Sequence, residues 1–192
     1  MPLAIQKTKL SNVIILTPKV FKDNRGYFTE TFRADELAKV GFKKEFIQDN
    51  QSFSSTPNTL RGFHFQTPPY SQDKLVRVNQ GSILDIVVDI RTGSPTYGQH
   101  LSVELSSENF KQLLIPSGFA HAFLTLEADT IVSYKVTNPY APECDSGIIW
   151  NDSDLEIEWP NSEMPILSKK DTKLSFLKDL PNNLFPYEDF SF

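Results

Sequence analysis

The sequence is poor in sulfur, with one cysteine and two methionines among 192 residues. A lone Cys144 excludes an intrachain disulfide, which fits a reducing cytosol, and no chemical role is assigned to it. The chain also lacks a basic excess. At a formal net charge of -5 it has no broad positive face for phosphate neutralisation, which excludes nucleic acid as a bulk partner. A local basic pocket for a small phosphorylated ligand remains open. Long hydrophobic runs are missing as well: the first ten residues contain no continuous apolar segment, and no stretch approaches the length needed to span a bilayer. The expectation is a soluble, cytoplasmic protein with no membrane partner. There is no sequence repeat, no low-complexity segment, and only three histidines: His64, His100 and His121.

What is present is aromatic. Fifteen phenylalanines in a chain that is 39% hydrophobic point to a core built on ring packing and to surfaces on which a planar ligand could stack. The length supports one sizeable core, so a single domain over residues 1–192 is expected. Val13 to Leu16 reads as a first strand, followed by the turn chemistry of Asp23-Asn24-Arg25-Gly26. Tyr27 to Phe32 reads as a strand with Phe28, Glu30 and Phe32 on one face; Glu30 there is either an edge residue or a ligand contact. Asp35 to Val40, stopped by Gly41, is the clearest helix. Phe46 to Ser54 is polar and reads as a loop.

From Lys74 onward strand-like runs recur at Leu75–Val78, Ile83–Ile90, Leu101–Leu105, Gln112–Ile115, Ala120–Leu126, Thr130–Val136 and Ile148–Trp150, separated by short turn clusters. No long crossover helix appears between them. The fold class is therefore all-β: a sandwich, jelly roll or barrel with short peripheral helices. The tail beyond Asn151 is broken by prolines, and Leu184 to Phe192 is expected to pack back onto the barrel or onto a second subunit.

Leu60 to Lys74 (Leu-Arg-Gly-Phe-His-Phe-Gln-Thr-Pro-Pro-Tyr-Ser-Gln-Asp-Lys) is the densest in chemistry. Alternation puts Phe63 and Phe65 on one face of a strand and Gly62, His64 and Gln66 on the other. An inward imidazole flanked by Arg61 and Lys74 suits a general base acting on an anionic substrate. The competing reading is a hydrogen-bonded core histidine. A metal site is disfavoured, because metal-binding cupins supply His-x-His with a carboxylate and a later histidine, and here Gln66 stands two after His64. No metal and no cofactor is expected.

Arg25-Gly26-Tyr27-Phe28-Thr29-Glu30-Thr31-Phe32, Gln48-Asp49-Asn50-Gln51-Ser52, Leu60 to Gln66, Asp85 to Asp89 with Arg91 and Ser94-Pro95, Pro116 to His121, and Ser168 to Asp171 occur in that order. The ordered set, from about Val13 to Asp171, resembles the dTDP-4-dehydrorhamnose 3,5-epimerase family, the RmlC-type branch of the cupins. The resemblance implies a cupin-type jelly-roll β-barrel and a dTDP-linked 4-keto-6-deoxy sugar as substrate. A carbon beside the C4 ketone loses its proton as an enolate, so such an enzyme needs a base, an acid on the opposite face and a cation near the oxygen. By resemblance His64 matches the base, Asp171 the carboxylate that orients it, Tyr134 the acid and Lys74 the cation. Arg25, Glu30, Gln48, Asp49, Asn50, Arg61, Tyr140 and Lys170 fall where the family holds thymine, ribose and diphosphate, and His121 matches a pocket histidine.

Two positions depart from the family pattern. Ala122 stands where glycine is usual, which would add a methyl group near the site, and Asp145, matching a substrate contact, stands where the longer glutamate is common. The family also implies a homodimer in which strands of one protomer extend the sheet of the other, with the segment Arg25 to Glu30 serving the neighbour's site. Its product feeds surface polysaccharide, including O-antigen. Rival readings are an epimerase that inverts one centre of a related sugar nucleotide, a catalytically idle cupin that only binds one, and a metal-dependent oxygenase.

Overall fold

A computed structural model describes residues 3–160 and 164–187. Its strands are β1 (Ala4–Lys7), β2 (Ile14–Thr17), β3 (Val20–Asp23), β4 (Gly26–Thr29), β5 (Gln48–Ser54), β6 (Leu60–Gln66), β7 (Lys74–Gln80), β8 (Ser82–Asp89), β9 (His100–Ser106), β10 (Gln112–Ile115), β11 (Phe119–Thr125), β12 (Thr130–Val136) and β13 (Asp145–Gly147). Two antiparallel sheets face each other in a jelly-roll sandwich. One has the order β1-β2-β10-β7-β12-β5 and the other β13-β6-β11-β8-β9, while β3 and β4 form a separate hairpin. The one α-helix among the described residues, α1 (Ala34–Lys39), ends at Gly41, whose φ of 89° is the left-handed value that favours glycine after a helix.

Side-chain alternation sorts the chain into three apolar layers. Between the sheets, Val76 and Val78 of β7, Ile83 and Val87 of β8, Leu113 and Ile115 of β10 and Val132 of β12 pack into one cluster. The outer face of the five-stranded sheet presents Leu60, Phe63, Ile86, Val88 and Ala122, and the tail covers it with Leu155, Leu177 and Phe185. Phe63 is 0% exposed there, so truncation to alanine costs about 3–5 kcal/mol. On the other sheet, Leu16, Leu75 and Leu114 lie under Leu37 of α1 and Phe42.

Four expectations need correction. Phe46 to Ser54 is not a loop: β5 occupies Gln48–Ser54 and pairs along its length with β12. Its inward face of Gln48, Asn50 and Ser52 is polar, so no hydrophobic alternation advertised it. β4 stops at Thr29, short of Phe32, and Glu30 lies beyond it, 3.5 Å from Arg33. Ile148–Trp150 forms no strand; the strand is Asp145–Gly147, and Ile148 exchanges backbone hydrogen bonds with Phe63 and makes an isolated bridge to Ser175. Ala122 is fully buried in the outer cluster of its sheet, away from the cleft described below, so its methyl group does not enter the site. β1 was not foreseen at all. Of the stretch from Leu184 to Phe192, Phe185 does pack onto the sheet and Tyr187 N–H donates to Thr92 O at 2.9 Å; residues 188–192 lie outside the described residues.

Candidate active site

At one end of the sandwich the apolar filling gives way to a cleft of about 510 Å³ lined by His64, Lys74, His121, Tyr134, Arg61 and Asp171, among others. Strict alternation would put Arg61 on the opposite face of β6 from His64. The ladder between β6 and β11 instead shifts register between His121 and Phe123, pairing His121 with His64 but Phe123 with Arg61. Gly62 makes this possible. Its φ is +122°, and a Cβ there would lie 2.5 Å from His121 O and 2.6 Å from Ala122 Cα. Both cationic and basic side chains of this strand therefore reach the cleft.

His64 and Asp171 are 107 positions apart in sequence, and His64 Nε2 lies 2.6 Å from Asp171 Oδ1. Asp171 comes from the tail segment that crosses the cleft edge. That segment is fastened at one end by Leu60 N–H donating to Ile166 O at 3.0 Å and at the other by Ile149 N–H donating to Ser175 O at 2.8 Å. Burial raises the Asp171 carboxyl, but hydrogen bonds from His64, Ser168 and the Gly62 N–H outweigh it and hold the group below the usual carboxylate range. A carboxylate only accepts, so the proton between the pair belongs to His64 Nε2 and the lone pair is left on Nδ1.

Lys74 lies on β7, in the opposite sheet, with its ammonium donating to His64 O at 3.1 Å. Burial pulls its pKa from 10.5 down to about 8, against the attraction of Asp85 and Asp145. Tyr134, on β12 beside β7, has its phenol pushed up by burial, against a smaller lowering by Arg61, so it enters the cleft as a proton donor. Arg61 Nη2 donates to Phe53 O at 3.1 Å and to Ser54 Oγ at 3.3 Å. Its Nε, together with Ser52 Oγ and Asp85 Oδ1, is buried with no hydrogen-bond partner among the described residues. At the mouth, Asp145 Oδ2 accepts from Tyr140 OH at 2.8 Å and pairs with Lys170. The hydrogen bond to Asp145 is the main cause of a raised Tyr140 pKa.

The remaining positions singled out in the sequence are elsewhere in the same chain. Arg25, 86% exposed in its side chain, pairs with Asp23 at the tip of the β3–β4 hairpin. Gln48 donates to Asn50 Oδ1 at 2.8 Å, and Asp49 points outward to Lys135 at 2.8 Å. Glu30 and Asp49 line a second cleft of about 450 Å³ on the outer face of the six-stranded sheet, with Arg33, Arg77 and Lys135. The structure thus joins His64, Lys74, Tyr134, Asp171, Arg61, His121, Tyr140, Asp145 and Lys170 in one site and leaves Arg25, Glu30, Gln48, Asp49 and Asn50 out of it. Sequence reasoning missed Asp85, which is fully buried against His121. Its signal was a lone acid inside the apolar run Ile83–Val88.

A family model described as dTDP-4-dehydrorhamnose 3,5-epimerase matches residues 7–179. A relative from Sinorhizobium fredii bearing that name is 47% identical over 176 residues, spanning 92% of this chain and 90% of that protein. A crystal structure of dTDP-6-deoxy-D-glucose-3,5-epimerase RmlC from Legionella pneumophila, in complex with dTDP-4-keto-L-rhamnose, superposes with a TM-score of 0.93 at 41% identity, covering 97% of this chain and 100% of that one. A dTDP-4-dehydrorhamnose 3,5-epimerase from Bacillus anthracis with TDP and PPi bound gives 0.89 at 44% identity, covering 91% and 99%.

Proposed function

This chain belongs to the dTDP-4-dehydrorhamnose 3,5-epimerase family, and from that premise we propose that it inverts C3 and C5 of dTDP-4-dehydro-6-deoxy-D-glucose by acid–base chemistry through an enolate. The observation that carries the reading is the 2.6 Å His64–Asp171 contact in a cleft whose opposite wall supplies Lys74 and Tyr134. Nδ1 of His64 takes the proton from the carbon beside the C4 ketone. Asp171 stabilises the imidazolium that forms. The electron pair moves onto the ketone oxygen, where the ammonium of Lys74 balances the new charge in a site of low dielectric. Tyr134 then returns a proton to the same carbon. Base and acid stand on facing sheets, so loss and return occur on opposite sides of the ring, which is what inversion requires.

The nucleotide half of the substrate is assigned to the mouth of the cleft, where Arg61, Tyr140 and Lys170 offer donors to a diphosphate and a ring for stacking. Asp145 pairs with Lys170 there. Arg25, Glu30, Gln48, Asp49 and Asn50 are assigned to thymine, ribose and diphosphate within a homodimer. The exposed β3–β4 hairpin, with Tyr27 58% and Phe28 63% exposed, would serve the neighbouring protomer's cleft. A single buried cysteine, Cys144, fits a cytoplasmic location, and the product fits a rhamnose-bearing surface polysaccharide.

The test is turnover of the purified protein with dTDP-4-dehydro-6-deoxy-D-glucose in deuterated buffer, followed by proton NMR. Deuterium at both C3 and C5 with formation of the L-rhamno product is expected. Label at one carbon only would replace the double epimerase with a single-centre enzyme, and no label at either would remove the acid–base reading.

A further inference from the structure

The cleft contains a second histidine–carboxylate pair for which the steps above have no use. His121 stands opposite His64 in the ladder between β6 and β11, and its Nε2 lies 2.9 Å from Asp85 Oδ2. Asp85 points into the sandwich from β8, flanked on the same face by Ile83 and Val87, which belong to the central apolar cluster. It is 0% exposed, and its second oxygen has no partner among the described residues. A buried carboxylate short of hydrogen bonds is costly, and an aliphatic residue at this position would simply extend the apolar stripe. The acid therefore needs a task.

Its chemistry fixes one. A carboxylate only accepts, so the proton shared by the pair sits on His121 Nε2 and the ring offers a bare Nδ1. Burial lowers the His121 pKa, and although Asp85 opposes this, Lys74 and His64 add to it, which keeps the ring uncharged at neutral pH. Lys74 and Arg61, cationic groups that line the cleft, can only donate. Resting on the epimerase reading, we infer that Asp85 is a positioning residue: it locks His121 as the tautomer whose Nδ1 accepts from a sugar hydroxyl.

The experiment is nitrogen NMR of protein labelled with 15N-histidine, on the wild type and on Asp85→Asn. In the wild type at pH 7, His121 should show a protonated Nε2 and an unprotonated Nδ1. In Asp85→Asn both tautomers should appear. Turnover of the variant should fall about ten- to a hundredfold, the usual effect of losing a residue that orients a functional histidine. The loss should lie in kcat, with dTDP binding changed less than twofold. A protonated Nδ1 or a charged ring in the wild type would overturn the inference, as would an Asp85→Asn enzyme with the parent's tautomer. The wild-type ring measurement needs neither a folded variant nor turnover. An inactive wild type with the expected tautomer would therefore sink the epimerase reading and leave the role of Asp85 in place.

Discussion

Replacing Lys74 with methionine should make this protein more stable and nearly inactive at once. A lysine whose pKa falls from 10.5 to about 8 in the folded chain binds its proton less tightly there than in the unfolded chain. The gap corresponds to about 3 kcal/mol of folding free energy lost to the buried charge at pH 7, with the attraction of Asp85 already included. Methionine keeps the length of the stem and removes the charge. It also removes the hydrogen bond to His64 O, worth about 1 kcal/mol, so a net gain of about 2 kcal/mol is expected, or roughly 4–8 °C in Tm for a chain of this size. Because the folded pKa is the lower one, the lysine's penalty is complete below about pH 8. It shrinks as pH rises toward 10.5, where the unfolded chain loses its proton as well. Thermal melts of both proteins from pH 7 to 10.5 should show the Met advantage closing across that window. Turnover should meanwhile drop about 10²- to 10³-fold, the scale of losing one charge-stabilising group. A Met variant that melts below the parent at pH 7, or an advantage that does not vary with pH, would refute the assignment of a strained buried cation.

Asp171→Asn, which leaves His64 without its orienting acceptor, should lower turnover about 10³- to 10⁴-fold while equilibrium dialysis finds dTDP binding unchanged. Tyr134→Phe should separate the two proton steps: deuterium still enters beside the ketone, because the base and cation remain, but NMR finds it with retained configuration. Gly62→Ala forces a methyl group to within 2.5 Å of His121 O at a φ that L-residues rarely adopt. Chemical denaturation should register a loss of more than about 2 kcal/mol, and any folded fraction should have Arg61 displaced and weakened nucleotide affinity.

The strands with an apolar inward face were legible in the sequence: Gln112–Ile115 and Thr130–Val136 were placed to the residue, and β7, β8, β9 and β11 to within two. β5 was not, since its inward side chains Gln48, Asn50 and Ser52 are polar and leave no hydrophobic period to read. The same cause hid Asp85, a polar residue at an apolar position. His64 was legible as a candidate from its flanks, but the register shift that turns Arg61 to the same side depends on β11 crossing close to Gly62, a contact no local pattern encodes. Asp171 was assigned through family resemblance alone, because its partner lies 107 positions away and nothing near it in sequence is catalytic.

How Asp171 comes to be held so closely follows from the layers. Antiparallel sandwiches commonly leave an outer sheet face to solvent, yet here β6, β8 and β11 present Phe63, Ile86, Val88 and Ala122 outward, and the tail must cover them. The tail residues that do so, Leu155 and Leu177 with partly buried Leu167, bracket Asp171 in sequence. Asp152 ties the two ends of that cover together, its carboxylate accepting from Leu177 N–H at 2.7 Å and capping Asp154 N–H at 3.0 Å. The free energy that places the carboxylate at His64 is thus mostly apolar burial on the outside of the sheet, acting through a backbone pinned at Ile166 and Ser175. The geometry of the His64–Asp171 pair depends on packing on the outer face of the sheet. Weakening the outer layer at Leu177 should loosen the dyad before it unfolds the barrel.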